Sequence, residues 1–362
     1  MWATLGLVVL TTAVVRLRLL DVPLDRDEGE YAYFGQLLLQ GVPPYATAYN
    51  LKLPGGYGAY AVVLWVFGQS PAGVHLGLLV ANAAATVLLF ALAARMLNAT
   101  VGVAAAAAFA GLSLSPRLYG LGGYAEHFVL LPALAGALVL VWSAESRRLA
   151  GFLASGALLG LAFVVKQSGG AFVLFGVVYT LLRSALPVAG GSWPSRLAPT
   201  IVLLAGAMLP YAALCLLLAW AGVFASFWFW TAVYASQYGS ALTLADGITL
   251  FFGRAAEILA TSWALAALAA VGVTALFWDA EARRRRDSVL PAPRPRGGAL
   301  RRRRRRRPRP PVRGRAAGSP TRARRGARAG AARAPRLGRA RDPLRDAARA
   351  CRARPLRPEP VP

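Results

Sequence analysis

Eight stretches of the chain are apolar over roughly the length of a membrane-crossing helix: approximately 2–20, 72–94, 99–116, 127–144, 149–165, 169–183, 198–219 and 257–278. A helix rises about 1.5 Å per residue, so about 20 apolar residues cross the roughly 30 Å hydrocarbon core of a bilayer. No water-soluble core needs that many uninterrupted runs. Together they predict an all-α, polytopic membrane protein with about eight transmembrane helices. Composition agrees, at 57% hydrophobic residues and a mean hydropathy of +0.49. The first run has no basic residue before it and no A-x-A site after it, so it reads as a retained anchor rather than a signal peptide.

The formal charge of +26 suggests nucleic acid until its distribution is read. Residues 1–282 hold twelve basic and eleven acidic residues; residues 283–362 hold twenty-nine Arg, no Lys and four acids. The near-neutral part is the membrane module, and no nucleic-acid partner is expected for it. The Arg/Pro/Ala/Gly-rich tail has no apolar period and reads as disordered. One reading makes Arg301–Arg307 a ligand for nucleic acid or the anionic inner leaflet. The favoured reading is a GC-rich gene translated out of frame, the tail replacing further spans. Cys215 and Cys351 are the two cysteines, too few for a disulfide framework.

Lys and Arg favour cytoplasmic connections. Arg95, Arg147 with Arg148, Arg183 with Arg196, and Arg283–Arg286 fall at alternate connections. One orientation satisfies all four groups, with the N-terminus in the cytoplasm and 21–71, 117–126, 166–168 and 220–256 outside; Arg16 and Arg18 then break the rule. This arrangement gathers Asp25, Asp27, Glu28, Glu30, Lys52, Glu126, His127, Lys166 and Gln167 on the outer side. Lys52 and Lys166 are the two lysines of the chain. Ionisable groups near membrane depth usually face a cavity or a partner, so a polar site is expected there.

The first outer loop has structure of its own. Asp27 is followed by Glu30, then Tyr31, Phe34 and Leu38 at helical spacing, and Gly41, Pro43 and Pro44 end the run. A short amphipathic helix lying along the interface is predicted. A second in-plane or re-entrant segment is predicted from Gly56 to Gly68. Pro132 and Pro210 fall inside spans, where neighbouring helices can satisfy the freed backbone groups. Gly156 and Gly160 fit small-xxx-small helix packing.

Three motifs carry a resemblance: Asp27-Glu28-Gly29-Glu30-Tyr31 after the first span, Lys52-Leu53-Pro54-Gly55, and Tyr124-Ala125-Glu126-His127. Residues 1–280 resemble the polyprenyl-phosphate-sugar-dependent glycosyltransferases of the GT-C fold, which include protein O-mannosyltransferases and the aminoarabinose transferase of lipid A. The resemblance implies transfer of a sugar from a polyprenyl phosphate donor to an acceptor hydroxyl on the extracytoplasmic face of the cell inner membrane, with inversion. It implies Asp27 as general base in a catalytic pair with Glu28, Lys52 and Lys166 on the phosphate, and Glu126, His127 and Tyr31 as further substrate contacts. The acceptor is a glycan, lipid or protein, and no metal or cofactor is expected.

Simpler readings stand beside these. Asp27 could cap the interfacial helix, the lysines could be interfacial anchors, and His127 could be an interfacial polar residue. Phe227, Trp228, Phe229, Trp230, Tyr234 and Tyr238 read as an interfacial belt, or as a stacking wall for sugar or polyprenyl. The same polar cavity would suit a transporter or flippase of lipid-linked sugars. An inactive truncated fragment is the remaining alternative.

Overall fold

The first polar loop folds before it returns to the membrane. In the computed structural model, which describes residues 1–146, 148–185, 193–239 and 243–278, helix α1 (Trp2–Leu17) leads to α2 (Arg26–Leu39) and α3 (Gly55–Phe67). The start of α2 differs from the sequence expectation by two residues. Its N-cap is Asp25, which accepts from the Arg26 N–H at 2.5 Å, while Glu28 accepts from the Asp25 N–H at 2.9 Å. Both Asp25-x-x-Glu28 and Asp27-x-x-Glu30 fit a capping box. The first wins because Glu28 also finds buried partners elsewhere, which local spacing does not reveal. Phe34 of α2 and Tyr57 of α3 stack at 4.1 Å, and Tyr57 and Tyr60 are fully buried.

The remaining elements are α4 (Pro71–Met96), α5 (Ala99–Leu112), α6 (Ala125–Ser146), α7 (Leu149–Val165), α8 (Gly170–Ala185), α9 (Trp193–Trp220), α10 (Phe224–Trp228), a π-helical turn (Phe229–Tyr234), α11 (Ala235–Gly239), α12 (Leu244–Thr261) and α13 (Trp263–Trp278). Ser70 and Asn98 cap α4 and α5 through their side chains. No strand occurs among the described residues. They fall in one compact unit, Met1–Leu300; the second unit, Arg301–Pro362, lies outside the described residues. So do Arg147, Arg283–Arg286 and the tail.

This is an all-α polytopic membrane protein. The eight expected spans are not equally long, however. Helices α4 and α6 and the Arg196–Trp220 part of α9 are long and apolar enough to cross. The others include apolar helices of 10–17 residues such as α1, α5 and α7, and at about 1.5 Å per residue these fall short of a straight crossing. The expected span 257–278 is not one helix: the chain bends by 99° between α12 and α13. The reason lies in α12, where Leu244, Ile248, Phe251, Phe252, Ile258 and Leu259 share one helical face and Asp246, Arg254 and Glu257 the other. Such a helix suits an interface and not a span.

Helix α7 is the hub, packed between α6 and α9. A Cβ on Gly156 would stand 2.0 Å from the Leu203 carbonyl oxygen, and one on Gly160 would stand 2.1 Å from that of Ala207. The two backbones meet because neither residue has a side chain. Gly156→Ala is therefore expected to cost about 1–3 kcal/mol by overpacking. Gly6→Ala, whose Cβ would meet nothing within 4 Å, serves as control. Thermal melting of the detergent-solubilised protein checks both; equal melting temperatures would refute the tight contact.

The charged groups sort to opposite ends of the bundle. At one end Arg95 pairs with Glu145 at 2.6 Å, Arg183 donates to the Ala144 carbonyl at 3.1 Å, and the Ser184 hydroxyl donates to the Arg196 carbonyl at 2.6 Å. The other end carries the site. Arg16, which broke the loop-charge rule, is 4% exposed and donates to the Ser113 and Gly120 carbonyls at 2.7 and 2.8 Å. Ser113 is the C-cap of α5, where a cation is favoured. Arg16 thus clamps a helix end and is not a loop charge.

Candidate functional site

Asp27 sits in the first turn of α2, free of capping duty. Its Oδ2 lies 3.4 Å from Lys52 Nζ, and the same ammonium lies 3.3 Å from Glu30 Oε2. Asn50 Nδ2 donates to Glu30 Oε1 at 2.5 Å, and Lys52 Nζ stands 4.6 Å above the Tyr31 ring. An ammonium has three donors. Two are turned to carboxylates, and the same ammonium faces the Tyr31 ring.

Asp27 also lines a cleft of about 600 Å³, together with Asp25, Tyr124, Glu126, His127 and Lys166. Lys166 directly follows α7, Glu126 opens α6, and the two form an ion pair. Residues from three distant parts of the sequence therefore meet at one end of the bundle. Lys166, not Lys52, is the lysine on the cleft wall; Lys52 reaches the cleft through Asp27. Gln167 Nε2 donates to the Leu51 carbonyl at 2.6 Å and ties the Lys166 turn to the Lys52 loop. Gly55 fits against the end of α7 for want of a side chain, since its Cβ would stand 2.5 Å from the Val164 oxygen.

Three expected site residues do not face the cleft freely. Tyr31 is 2% exposed among Tyr57 and Tyr60, and burial, aided by Glu126, Glu30 and Asp27, pushes its hydroxyl up, so it stays neutral and meets the site only through Lys52. Glu28, expected beside Asp27 as a catalytic partner, is 2% exposed and points inward. It accepts from the Gly123 N–H at 2.5 Å as well as from Asp25, and faces His75 Nε2 at 3.4 Å. Burial pushes its carboxyl up, but the His75, Asp25 and Gly123 contacts outweigh that and hold it below the usual range. Glu28 ties three segments together and borders a second cavity of about 300 Å³ with Arg16 and His75. His127, though on the cleft wall, has Nδ1 3.4 Å from the Asn82 amide and a further bond to the Tyr119 backbone. Its Nδ1 is therefore already engaged.

Sequence reasoning missed the work of Asp25. Its carboxylate accepts from the Tyr124 hydroxyl and the Arg26 N–H, which hold it below the usual range and push the Tyr124 hydroxyl up. The capping register was the available signal. The aromatic segment divides into inward and outward members. Phe227 is fully buried against Tyr45, 5.5 Å between ring centres, and Trp230 stacks on Tyr49 at 4.1 Å. Trp228, Phe229 and Tyr234 are exposed, while the Tyr238 side chain lies outside the described residues. Phe227 and Trp230 thus pack against the loop that carries Lys52. Among the described residues no three His, Cys, Asp or Glu converge as metal ligands.

Residues 54–207 match the model of the dolichyl-phosphate-mannose-protein mannosyltransferase family. The matched segment runs from the start of α3 into α9 and contains Glu126, His127 and Lys166; Asp27 and Lys52 precede it. No curated protein and no solved structure matches the chain. The match and the apolar helices together point to a membrane glycosyltransferase of mannosyltransferase-like type.

Proposed function

We propose that the cleft transfers a sugar from a polyprenyl phosphate to an acceptor hydroxyl at the extracytoplasmic water boundary of the inner membrane. The observation that carries the reading is the meeting of Asp27, Glu126 and Lys166 in one cleft, with Lys52 against Asp27. Asp27 takes the proton of the acceptor hydroxyl as that oxygen forms its bond to the anomeric carbon. The bond from this carbon to the phosphate oxygen breaks on the opposite face, so the configuration inverts. The departing lipid phosphate needs fixed positive charge more than a proton, which Lys166 on the cleft wall and Lys52 supply. Glu126 holds Lys166 and orients the incoming group. A glycan, a lipid or a protein could bring the hydroxyl. The orientation rests on Arg95, Arg148, Arg183 and Arg196 at the opposite end of the bundle.

The test is product analysis in membranes supplied with radiolabelled polyprenyl-phosphate mannose and total cell-envelope extract. A new glycosidic bond supports transfer; movement of label across the membrane without a new bond overturns it in favour of a carrier. Lys166→Met is expected to lower turnover by about 10- to 100-fold, the effect of losing part of the charge stabilisation. Unchanged turnover in that variant would remove Lys166 from the phosphate.

A further inference from the structure

Tyr45 is strained in a way its surroundings explain. Its φ is +67°, the left-handed region that a bulky aromatic residue seldom enters. It is 4% exposed, its ring packs on Phe227 beyond the end of α9, and its hydroxyl donates to the Lys52 carbonyl at 2.7 Å. Between those two residues the loop is held again, by Tyr49 stacked on Trp230, by Asn50 bonded to Glu30 and by the Gln167 amide on the Leu51 carbonyl. The strain is kept because the packing on Phe227 and the bond to Lys52 both require this backbone.

The geometry points to Tyr45 as a positioning residue: its hydroxyl fixes the Lys52 backbone so that the ammonium stands between Asp27 and Glu30. The lysine stem has four rotatable bonds, and without an anchored backbone the ammonium would sample positions away from the two carboxylates. The hydroxyl never touches substrate. Its effect on the cleft runs through Lys52 and rests, for the phosphate, on the function proposed above.

The chain contains two lysines, so amine labelling reads each one separately. Brief reductive methylation of the full-length protein, followed by peptide mass analysis, is compared between the native protein and Tyr45→Phe, which keeps the ring and removes the hydroxyl. The expected result is a several-fold faster labelling of Lys52 with the Lys166 rate unchanged, at the native melting temperature. Phe227→Leu, which loosens the ring's seat, should raise Lys52 labelling by a smaller factor. Unchanged Lys52 labelling in Tyr45→Phe, or an equal rise at Lys166, would overturn the assignment.

Binding of undecaprenyl monophosphate in nanodiscs separates this from the role of Lys52. Loss of affinity in both Tyr45→Phe and Lys52→Met supports the whole chain of argument. Faster Lys52 labelling with native affinity in both variants supports the positioning and overturns Lys52 as a phosphate contact.

Discussion

Asp27→Asn should insert, fold and melt like the native protein and yet lose about 10²- to 10⁴-fold in transfer rate, the span that a positioned general base contributes. The folded state has little reason to suffer. Asp25, not Asp27, caps α2, so no helix end is lost. The amide oxygen can still accept from Lys52, and Glu30 remains 3.3 Å from that ammonium. What disappears is the only property a base needs, a lone pair able to keep a proton. Turnover is measured with labelled donor and folding by melting and size-exclusion profile. Near-native turnover would defeat the assignment of Asp27, whatever became of the lysines.

The second large effect falls on stability. Glu28→Ala should destabilise the protein by about 3–5 kcal/mol, the order of cost of leaving two buried N–H donors and an imidazole without their shared acceptor. The variant strands the Gly123 and Asp25 N–H groups and takes from His75 Nε2 its partner, while Nδ1 keeps the Leu20 carbonyl at 2.9 Å. These contacts join the start of α2, α4 and the entry to α6, so the loss also loosens Asp27 against Glu126. Glu28→Gln, which keeps an acceptor, should recover part of the stability. Melting followed by tryptophan fluorescence would show it, and a native-like melt for Glu28→Ala would refute the tie.

The same carboxylate sets a pH dependence. Folding lowers the Glu28 carboxyl below its ordinary value of 4.5. A depressed carboxyl stabilises the fold fully above its unfolded value and progressively loses that contribution as pH falls through the folded one. The native protein should therefore lose stability below about pH 4.5, and Glu28→Gln should lose less over the same interval. Parallel pH profiles for the two proteins would show that other groups govern the acid limb.

Much of the architecture was legible in the residues. Apolar length and alternating Arg clusters separate the two ends of the bundle, because a charge is costly in hydrocarbon wherever it occurs. The Gly156 and Gly160 spacing marks a close helix contact for a similarly local reason. Helix lengths and registers were less legible. The Asp25 and Asp27 caps are equivalent as patterns, and the apolar run passes from the end of α12 into α13 with no mark of the bend. Arg16 looked like a misplaced loop charge because its acceptors are the carbonyls of residues 113 and 120.

The candidate site divides in the same way. Composition and spacing alone determine that carboxylates and both lysines belong to one side of a helical membrane protein, since each sits at the polar end of an apolar run. Only the tertiary structure decides which of them share the cleft. Glu28 and Tyr31 turn inward, Lys166 lines the wall and Lys52 stands against Asp27, held by a strained tyrosine and an aromatic cluster from beyond α9. A side chain's direction follows from partners tens to more than a hundred residues away, and a one-dimensional pattern carries no record of those meetings.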